Sequence, residues 1–540
     1  MKLRLTKAPG VASPLRVRFT PASPGSNPRL VRKTFLQTIL AVVLSVLVPI
    51  VAHASSATWD LNPGSGDWNT AANWTPMTVP NGPADIATFA LSNTTNVSIS
   101  ANTEVNAITF TPAATNPYTI TASAAFTLRI TGTGITNNSG RTQHFISPVG
   151  ANGEFGLIVF SNSATAGNST MFTNNGAFLN GEVRGGTRFL DTSSAGNGTF
   201  INNGGFTEFS GSSTAGNGSF TNNGGTVSGA GGGRTIFQQT SVADSATLIA
   251  NGGTGGGQGG QILFEDASTG GTSRVEVFGN GNLDISSHNA PGVAVGSIEG
   301  SGNAFLGGNN LTVGSNNLST TFSGVIQDGG QNGGVGGSLT KIGTGTLVLS
   351  GANTYTGNTN INRGVLQVDG SIHSNTSVHY TGTLAGTGMI QGNVTNNDFG
   401  TVRPGGALGA PGVLTVVQNY TQTQYATLMI QIANSSQFSV LNVLGNANLN
   451  GNLNPVLLNG FVPAIGESFT FLNYASLTGF FSHIENQVFN HGTEQWSIIY
   501  QNNSAILTVV PNTIPDQGST FLLLTLGLLG LVRYRQKCWQ

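Results

Sequence analysis

Short apolar runs closed by asparagine and glycine recur along the middle of the chain. Each run has a hydrophobic or aromatic centre, and the Asn and Gly residues that follow it tolerate the left-handed backbone of tight corners. Four copies align, with starts 29, 20 and 28 residues apart: 166–176, 195–205, 215–225 and a divergent copy at 243–253. This period is typical of a solenoid, in which each strand pairs with the rungs above and below. We therefore predict an all-β stack of about 20 rungs, with a spacing of about 4.8 Å.

The composition agrees with a long repetitive β protein. Glycine accounts for 78 of 540 residues, and only 8% of residues are charged. Glycine has no period of three and there are only 20 prolines, which excludes collagen. The many β-branched and aromatic residues argue against a disordered chain.

Charge and cysteine content exclude two further classes of function. Residues 55–511, called the body below, carry nine basic and 20 acidic residues, and Lys341 is the only lysine among them. Such a surface offers no basic patch for phosphates, so we expect no nucleic-acid partner. The single cysteine, Cys538, allows neither an intrachain disulfide nor a cysteine-based zinc site.

The first 54 residues are typical of a secretory signal peptide with an extended basic region. A basic start precedes an apolar run from Thr34 to Val51, which predicts a short signal helix. Ala52 and Ala54 form a small-x-small cleavage pattern, which makes Ser55 the first mature residue. We expect export through the Sec translocon, and the alternative is an uncleaved anchor.

The last 27 residues join a polar motif, an apolar run and a basic end. The run from Phe521 to Val532 predicts a hydrophobic transmembrane helix of roughly 18 Å. This arrangement resembles the PEP-CTERM class of bacterial sorting signals in its VPDSG variant. The resemblance implies that an exosortase-type membrane transpeptidase recognises residues 512–540 after transient anchoring in the inner membrane; an ordinary tail anchor is the alternative. The motif and basic-end residues are Pro515, Asp516, Gly518, Ser519, Thr520, Arg533 and Arg535.

A second kind of repeat occupies 336–370. Residues 337–368 read GSLTKIGTGTLVLSGANTYTGNTNINRGVLQV and closely resemble the autotransporter-associated β-strand repeat. Residues 371–511 resemble the stalk of autotransporter passenger domains. The resemblance implies a right-handed parallel β-helix displayed outside the cell. The aligned copies described above assign residues 151–335 to Gly/Asn-rich solenoid repeats.

Three tryptophans cluster near the start of the body, in a segment that we assign to a capping module at 55–150. Trp59, Trp68 and Trp74 lie beside Asp and Asn residues. Such a cluster can form a sugar-stacking surface that contacts carbohydrate, or it can close the open end of a solenoid.

Candidate chemistry is sparse. Glu265 and Asp266 form the only adjacent acid pair, and with Arg274 they are the only catalytic candidates for a polysaccharide-acting β-helix enzyme. The closest histidine pairs, His373 with His379 and His483 with His491, lack the spacing of a metal site.

We therefore expect no cofactor, no metal and no enzymatic activity. The favoured function is that of an exported cell-surface or extracellular-matrix structural protein, an adhesin or biofilm scaffold, with exopolysaccharide as a further partner. A polysaccharide-binding or polysaccharide-degrading β-helix protein is the alternative function.

Overall fold

The computed structural model describes residues 56–176 and 184–512. The predicted signal helix, its cleavage site and the C-terminal sorting tail lie outside the described residues. Within the described ranges, no helix has the length and apolarity needed to cross a membrane. The helical elements there are two 3-10 turns of three residues each, Ala71–Asn73 and Asn490–Gly492.

The described residues form 47 β-strands. The first sixteen are β1 (Ala57–Trp59), β2 (Trp74–Thr75), β3 (Gly82–Phe89), β4 (Asn96–Ile99), β5 (Thr103–Phe110), β6 (Thr119–Ala122), β7 (Thr127–Asn137), β8 (Gln143–Ser147), β9 (Leu157–Phe160), β10 (Thr170–Asn175), β11 (Gly186–Phe189), β12 (Thr199–Asn203), β13 (Phe206–Phe209), β14 (Ser219–Asn223), β15 (Arg234–Phe237) and β16 (Thr247–Ala250). The next sixteen are β17 (Gln261–Phe264), β18 (Arg274–Val277), β19 (Asn282–Asp284), β20 (Gly292–Val295), β21 (Ser297–Gly300), β22 (Asn303–Phe305), β23 (Asn310–Val313), β24 (Thr320–Phe322), β25 (Val325–Gln327), β26 (Ser338–Lys341), β27 (Thr346–Leu349), β28 (Ala352–Asn353), β29 (Thr359–Val368), β30 (Ser371–Ile372), β31 (Thr376–Gly386) and β32 (Met389–Ile390). The last fifteen are β33 (Val394–Asn396), β34 (Thr401–Pro404), β35 (Val413–Val416), β36 (Tyr420–Gln422), β37 (Thr427–Asn434), β38 (Gln437–Phe438), β39 (Val440–Val443), β40 (Asn446–Leu449), β41 (Asn452–Leu457), β42 (Ser468–Asn473), β43 (Ser476–Gly479), β44 (His483–Ile484), β45 (Val488–Phe489), β46 (Glu494–Tyr500) and β47 (Ser504–Pro511).

Almost all pairings are parallel and join strands of successive rungs, so the predicted all-β parallel solenoid is confirmed. Its strands lie on three faces. Face 1 runs from β7 through β9, β11, β13, β15, β17, β19, β22 and β25, and continues through β28, β30, β32, β35, β39 and β42. Face 2 runs from β4 through β6, β8, β10, β12, β14, β16, β18, β21, β24, β27, β29, β31, β34, β37 and β41 to β44. Face 3 begins with the second halves of β3, β5 and β7 and continues as single bridges. It becomes a ladder again from β20 through β23, β26, β29, β31, β33, β36 and β40 to β43.

The number of strands on face 2 gives the length of the described stack. Its seventeen strands span about 77 Å at the usual inter-strand spacing. The stack has fewer rungs than the 20 expected, because loops such as 328–337 lengthen individual rungs. The right-handed sense stays a prediction of the resemblance, in line with the general preference of parallel crossovers.

Two long strands connect faces 3 and 2 without a loop. β29 and β31 pair side by side on both faces, with a register shift between Ile361 and Arg363 where the chain turns the corner. Gly364 takes a positive φ of 69° just after this shift. A Cβ there would lie 2.4 Å from the carbonyl oxygen of Gly343 on the preceding rung, so the corner requires glycine.

Part of the core consists of stacked phenylalanine side chains. On face 2, Phe145, Phe172, Phe200 and Phe220 form one ladder, with centroid separations of 4.9, 4.7 and 4.7 Å. On face 1, a second ladder has separations of 4.8 to 4.9 Å and meets the first edge to face; it comprises Phe160, Phe189, Phe209, Phe237 and Phe264. In-register parallel pairing places the same position of each rung at the same depth, and this produces the ladders.

Both ends of the described stack change from parallel to antiparallel pairing. At the N-terminal end, β2 pairs antiparallel with β1. At the C-terminal end, β42, β47, β46 and β45 follow one another in antiparallel order. These segments cover sheet edges that would otherwise be open to another chain.

Candidate functional site

The segment that resembles a known repeat carries several buried polar groups. Asn353 is fully buried, and its Oδ1 accepts a hydrogen bond from the backbone N–H of Ile326, 2.9 Å away. Its Nδ2 donates to the carbonyl oxygens of Gly351 at 3.1 Å and Ser371 at 3.2 Å. One amide therefore joins three successive rungs, and this accounts for an asparagine facing the core.

A chain of buried hydroxyls begins on the same rung and ends on the next one. The hydroxyl of Tyr355 is 2.6 Å from Oγ1 of Thr359, which in turn contacts Oγ of Ser374 at 2.5 Å. Burial raises the pKa of Tyr355 to about 12. The three hydroxyls satisfy one another's hydrogen bonding, and burial keeps the tyrosine neutral at physiological pH.

Lys341 is buried with no carboxylate against it. Its Nζ donates to the backbone carbonyl oxygen of Ile342 at 2.6 Å, with longer contacts of 3.4 Å to those of Gly343 and Arg363. Burial lowers its pKa to about 8. The ammonium thus links the corner of its own rung to the next rung, and its three N–H groups are directed to backbone carbonyl oxygens.

Asparagine ladders continue this pattern in the Gly/Asn-rich repeats. Asn174, Asn202 and Asn222 are buried, and each Nδ2 donates to Oδ1 of the next, at 2.8 and 2.7 Å. Every Oδ1 in this ladder also accepts a threonine hydroxyl at 2.9 to 3.0 Å, from Thr187, Thr207 and Thr235 in turn. The Asn-Asn pairs of the repeats therefore divide into an inward residue and an outward one.

The outward asparagines line a groove. Asn175, Asn203, Asn223 and Asn251 form a second ladder at the rim of a cavity of about 910 Å³. Its floor is mostly glycine backbone, including Gly204, Gly224 and Gly252. The described residues that line the groove offer the amides of this ladder and the hydroxyls of Thr226 and Thr254, and none of them is charged.

A different surface lies further along the stack. Tyr380, Phe399 and Tyr425 are 70%, 65% and 52% exposed, at the corner between faces 3 and 2 on three consecutive rungs. The rings of Phe399 and Tyr425 stack with centroids 5.6 Å apart and planes at 6°. This site was not predicted from the sequence. The sequence feature that could have indicated it is an aromatic residue at the end of each of two polar strands, directly before Gly400 and directly before Ala426.

The predicted tryptophan cluster is a packed core. Trp59, Trp68 and Trp74 are 1%, 0% and 0% exposed, and Trp74 meets the other two edge to face at 5.0 Å. Each indole N–H donates to a backbone carbonyl, on Thr94, Pro80 and Trp68 respectively. Sugar stacking needs an exposed ring face, which these rings do not offer, so the geometry favours the capping alternative.

The three catalytic candidates do not converge. Oε2 of Glu265 accepts from Gln238 at 2.9 Å, and Oδ2 of Asp266 accepts the backbone N–H of Gln239 at 2.9 Å, both at the corner that follows face 1. Arg274 begins β18 on face 2, where it pairs with Glu276 at 3.2 Å and with Glu299. The acids thus tie neighbouring rungs together and do not share a cleft with the arginine.

The remaining residues to be placed are possible metal ligands and the predicted cleavage and sorting residues. Among the described residues, no group of three or more His, Cys, Asp and Glu side chains could hold a metal ion. The cleavage residues Ala52, Ala54 and Ser55 and the sorting residues Pro515, Asp516, Gly518, Ser519, Thr520, Arg533 and Arg535 lie outside the described residues and stay predictions.

Comparison with known proteins finds similarity to exported proteins over short stretches. The chain is 46% identical over 78 residues to an extracellular serine protease of Serratia marcescens, a match that covers 14% of this chain and 7% of that protein. It is 36% identical over 110 residues to the adhesin BmaC autotransporter of Brucella suis biovar 1 (strain 1330), covering 20% of this chain and 3% of that protein. The chain therefore spans only a small part of the length of either relative.

One family model matches within the rungs described above. It covers residues 339–368, the segment that contains Asn353, Tyr355 and Lys341. The expected autotransporter-associated repeat is thereby confirmed at its predicted position: the chain carries a Passenger-associated-transport-repeat, and its similarities are to extracellular and autotransporter proteins.

Proposed function

We propose that this chain is an exported structural protein of the cell surface or extracellular matrix, where it acts as an adhesin or scaffold. The observation that carries the proposal is the continuous stack of in-register rungs, whose buried polar groups bond mostly to neighbouring rungs. Such a stack is stabilised along its whole length without disulfides. The similarity of residues 339–368 to a passenger repeat supports display outside the cell.

A non-enzymatic role is part of the proposal. Each of the three catalytic candidates bonds to a neighbouring rung, and buried Lys341 bonds only to backbone carbonyls. The serine-protease relative is similar over 14% of this chain, and we infer that the shared part is β-stack and not catalytic machinery. Polysaccharide binding is the second candidate function, and the exposed aromatic corner favours it.

The route of export is also a proposal. We propose that the Sec translocon carries the chain across the inner membrane, that cleavage follows Ala54, and that an exosortase-type transpeptidase then acts on the motif that begins at Pro515. The sequence at both ends supports this route.

Fractionation of native cells tests the route, with an antibody to the body and intact-mass measurement of the recovered protein. We expect protein that lacks residues 1–54 and the tail from about 515 onward, in the outer envelope or the medium. Substitution Asp516→Ala should retain the chain in the inner membrane, and the neighbouring Gln517→Ala should not. A full-length C-terminus in the inner membrane of wild-type cells would contradict sorting and leave a tail-anchored protein.

A further inference from the structure

The exposed aromatic residues at the corner between faces 3 and 2 belong to an ordered array. Residues 377, 395 and 421 pair in register on face 3, and so do residues 378, 396 and 422. Continuing this register past the strands gives two rows, the first formed by His379, Asn397 and Thr423, and the second by Tyr380, Asp398 and Gln424. Phe399 and Tyr425 follow as a stacked pair. We call these eight residues the corner aromatic site.

The aromatic rings are displayed to solvent by an unusual backbone. Tyr380 and Phe399 take positive φ values of 50° and 65°, in a region that bulky side chains rarely adopt. The rings of the two phenylalanine ladders are fully buried, whereas these rings are mostly exposed, as is that of Phe480 at 62%. Both the unfavourable backbone and the exposed apolar surface lower stability, and such features concentrate at binding sites.

Polar groups surround the rings. Oδ1 of Asp398 accepts hydrogen bonds from the hydroxyl of Thr423 and from the backbone N–H of Tyr425 at 3.4 Å, which orients the carboxylate. A shallow cavity of about 440 Å³ opens at this point, and every residue that lines it carries a polar group: His379, Tyr380, Asn397, Asp398, Thr423 and Gln424.

This combination matches the chemistry of a sugar. A pyranose ring presents C–H groups to an aromatic face and hydroxyls at its rim, and each hydroxyl both donates and accepts hydrogen bonds. Amides, hydroxyls and a carboxylate provide both roles. A protein partner would favour a wider apolar surface around the rings. Three rungs span about 10 Å, so the site offers contact to more than one sugar ring of an extended polysaccharide.

We propose that the corner aromatic site binds a neutral polysaccharide, with pyranose rings packed against Tyr380 and the Phe399–Tyr425 pair and hydroxyls bonded to Asn397, Asp398 and Gln424. The inference rests on the proposed function, since an exported surface protein meets polysaccharide. It gives the second candidate function a location that differs from the tryptophan cluster.

The test is affinity electrophoresis of the purified full chain in gels that contain laminarin, hydroxyethylcellulose, dextran or galactomannan. We expect at least one polysaccharide to retard the wild-type chain. The variant Phe399→Asn with Tyr425→Ala should bind at least about tenfold more weakly, the usual scale for removing an aromatic anchor. Asn is chosen because it tolerates positive φ. Phe155→Ala, which removes an exposed aromatic ring elsewhere, should bind like wild type.

Three results would overturn the proposal: no retardation by any of the four polysaccharides, equal retardation of wild type and double variant, or a protein partner that depends on these rings. Circular dichroism melts of each variant exclude unfolding as the cause of lost binding. Cell fractionation separates this inference from the proposed function. The double variant should reach the same cell fraction as wild type, whereas a failure of export would appear in both proteins.

Discussion

Phe200 lies directly over Phe220, with ring centroids 4.7 Å apart and ring planes at 8°. This separation equals the spacing between parallel strands, so the rings stack because the backbones of β12 and β14 pair in register. The neighbouring ladder of face 1 meets these rings edge to face, and the two ladders fill the core between faces 1 and 2. A shift of one residue would send each ring to solvent, and the ladder therefore fixes the register.

The substitution Phe200→Ala should lower the free energy of unfolding by about 3–5 kcal/mol, because it leaves a cavity between two stacked rings. Guanidinium unfolding followed by circular dichroism measures the loss. Phe155→Ala is the control, since Phe155 is 40% exposed whereas Phe200 is fully buried, and its loss should cost markedly less. Equal effects of the two changes would mean that the face 2 ladder does not stabilise the stack.

Of two adjacent asparagines, Asn202 belongs to the inward ladder and Asn203 to the outward ladder. Asn202→Asp removes an Nδ2 group that donates to Asn222 and to the carbonyl oxygen of Arg234, and it introduces a buried charge. We expect a loss of about 3 kcal/mol or more at pH 7. The loss should shrink at low pH, where the carboxyl is protonated.

The control for this change is Asn203→Asp, at the exposed neighbouring position, which should alter stability little. Denaturant unfolding of both variants at pH 7 and pH 4 makes the comparison. Similar losses for the two variants would contradict the assignment of inward and outward ladders.

Buried Lys341 should make the free energy of unfolding depend on pH. Its pKa in the folded chain is lowered to about 8 by burial, whereas an unfolded lysine titrates near 10.4. Between these values the unfolded chain binds more protons than the folded chain, so this residue makes stability rise with pH from about 8 to about 10.4. Below pH 8 the cost of burying the ammonium is fully present.

The stability difference between wild type and Lys341→Met isolates this effect, because other titrating groups cancel. We expect the difference, wild type minus variant, to increase across that pH range in urea unfolding. Parallel stability profiles for the two proteins would show that Lys341 is not desolvated in the folded chain.

The buried tryptophans make a spectroscopic prediction. In a chain that carries Trp496→Phe and Trp539→Phe, the remaining tryptophan emission should be blue-shifted and weakly quenched by iodide, because Trp59, Trp68 and Trp74 are enclosed. Addition of laminarin, hydroxyethylcellulose, dextran or galactomannan should leave the emission unchanged, because binding occurs at the corner aromatic site. A shift on addition of polysaccharide that Trp68→Phe abolishes would instead support sugar contact at the cluster.

The sequence predicted the solenoid because its signal is local and repeated. The strand centres and the Asn and Gly corners lie within single rungs, and the repeat at 339–368 covers two neighbouring rungs that pair with each other. The alternation that separates Asn202 from Asn203 was not predicted, because a pair of identical residues does not reveal which one faces inward. The corner aromatic site was missed for a different reason: Tyr380, Phe399 and Tyr425 lie 19 and 26 residues apart and become neighbours only through rung stacking.

Surface display is the central claim, and cysteine labelling of intact cells tests it most directly. The body contains no cysteine, so Ser212→Cys or Ser213→Cys introduces a single thiol into a chain that also carries Cys538→Ser. Ser212 is exposed and its neighbour Ser213 is fully buried, which makes them a matched pair. We predict that a membrane-impermeant maleimide labels the Ser212→Cys chain on intact cells and leaves the Ser213→Cys chain unlabelled. Labelling of the Ser212→Cys chain only after the envelope is disrupted would contradict display at the cell surface.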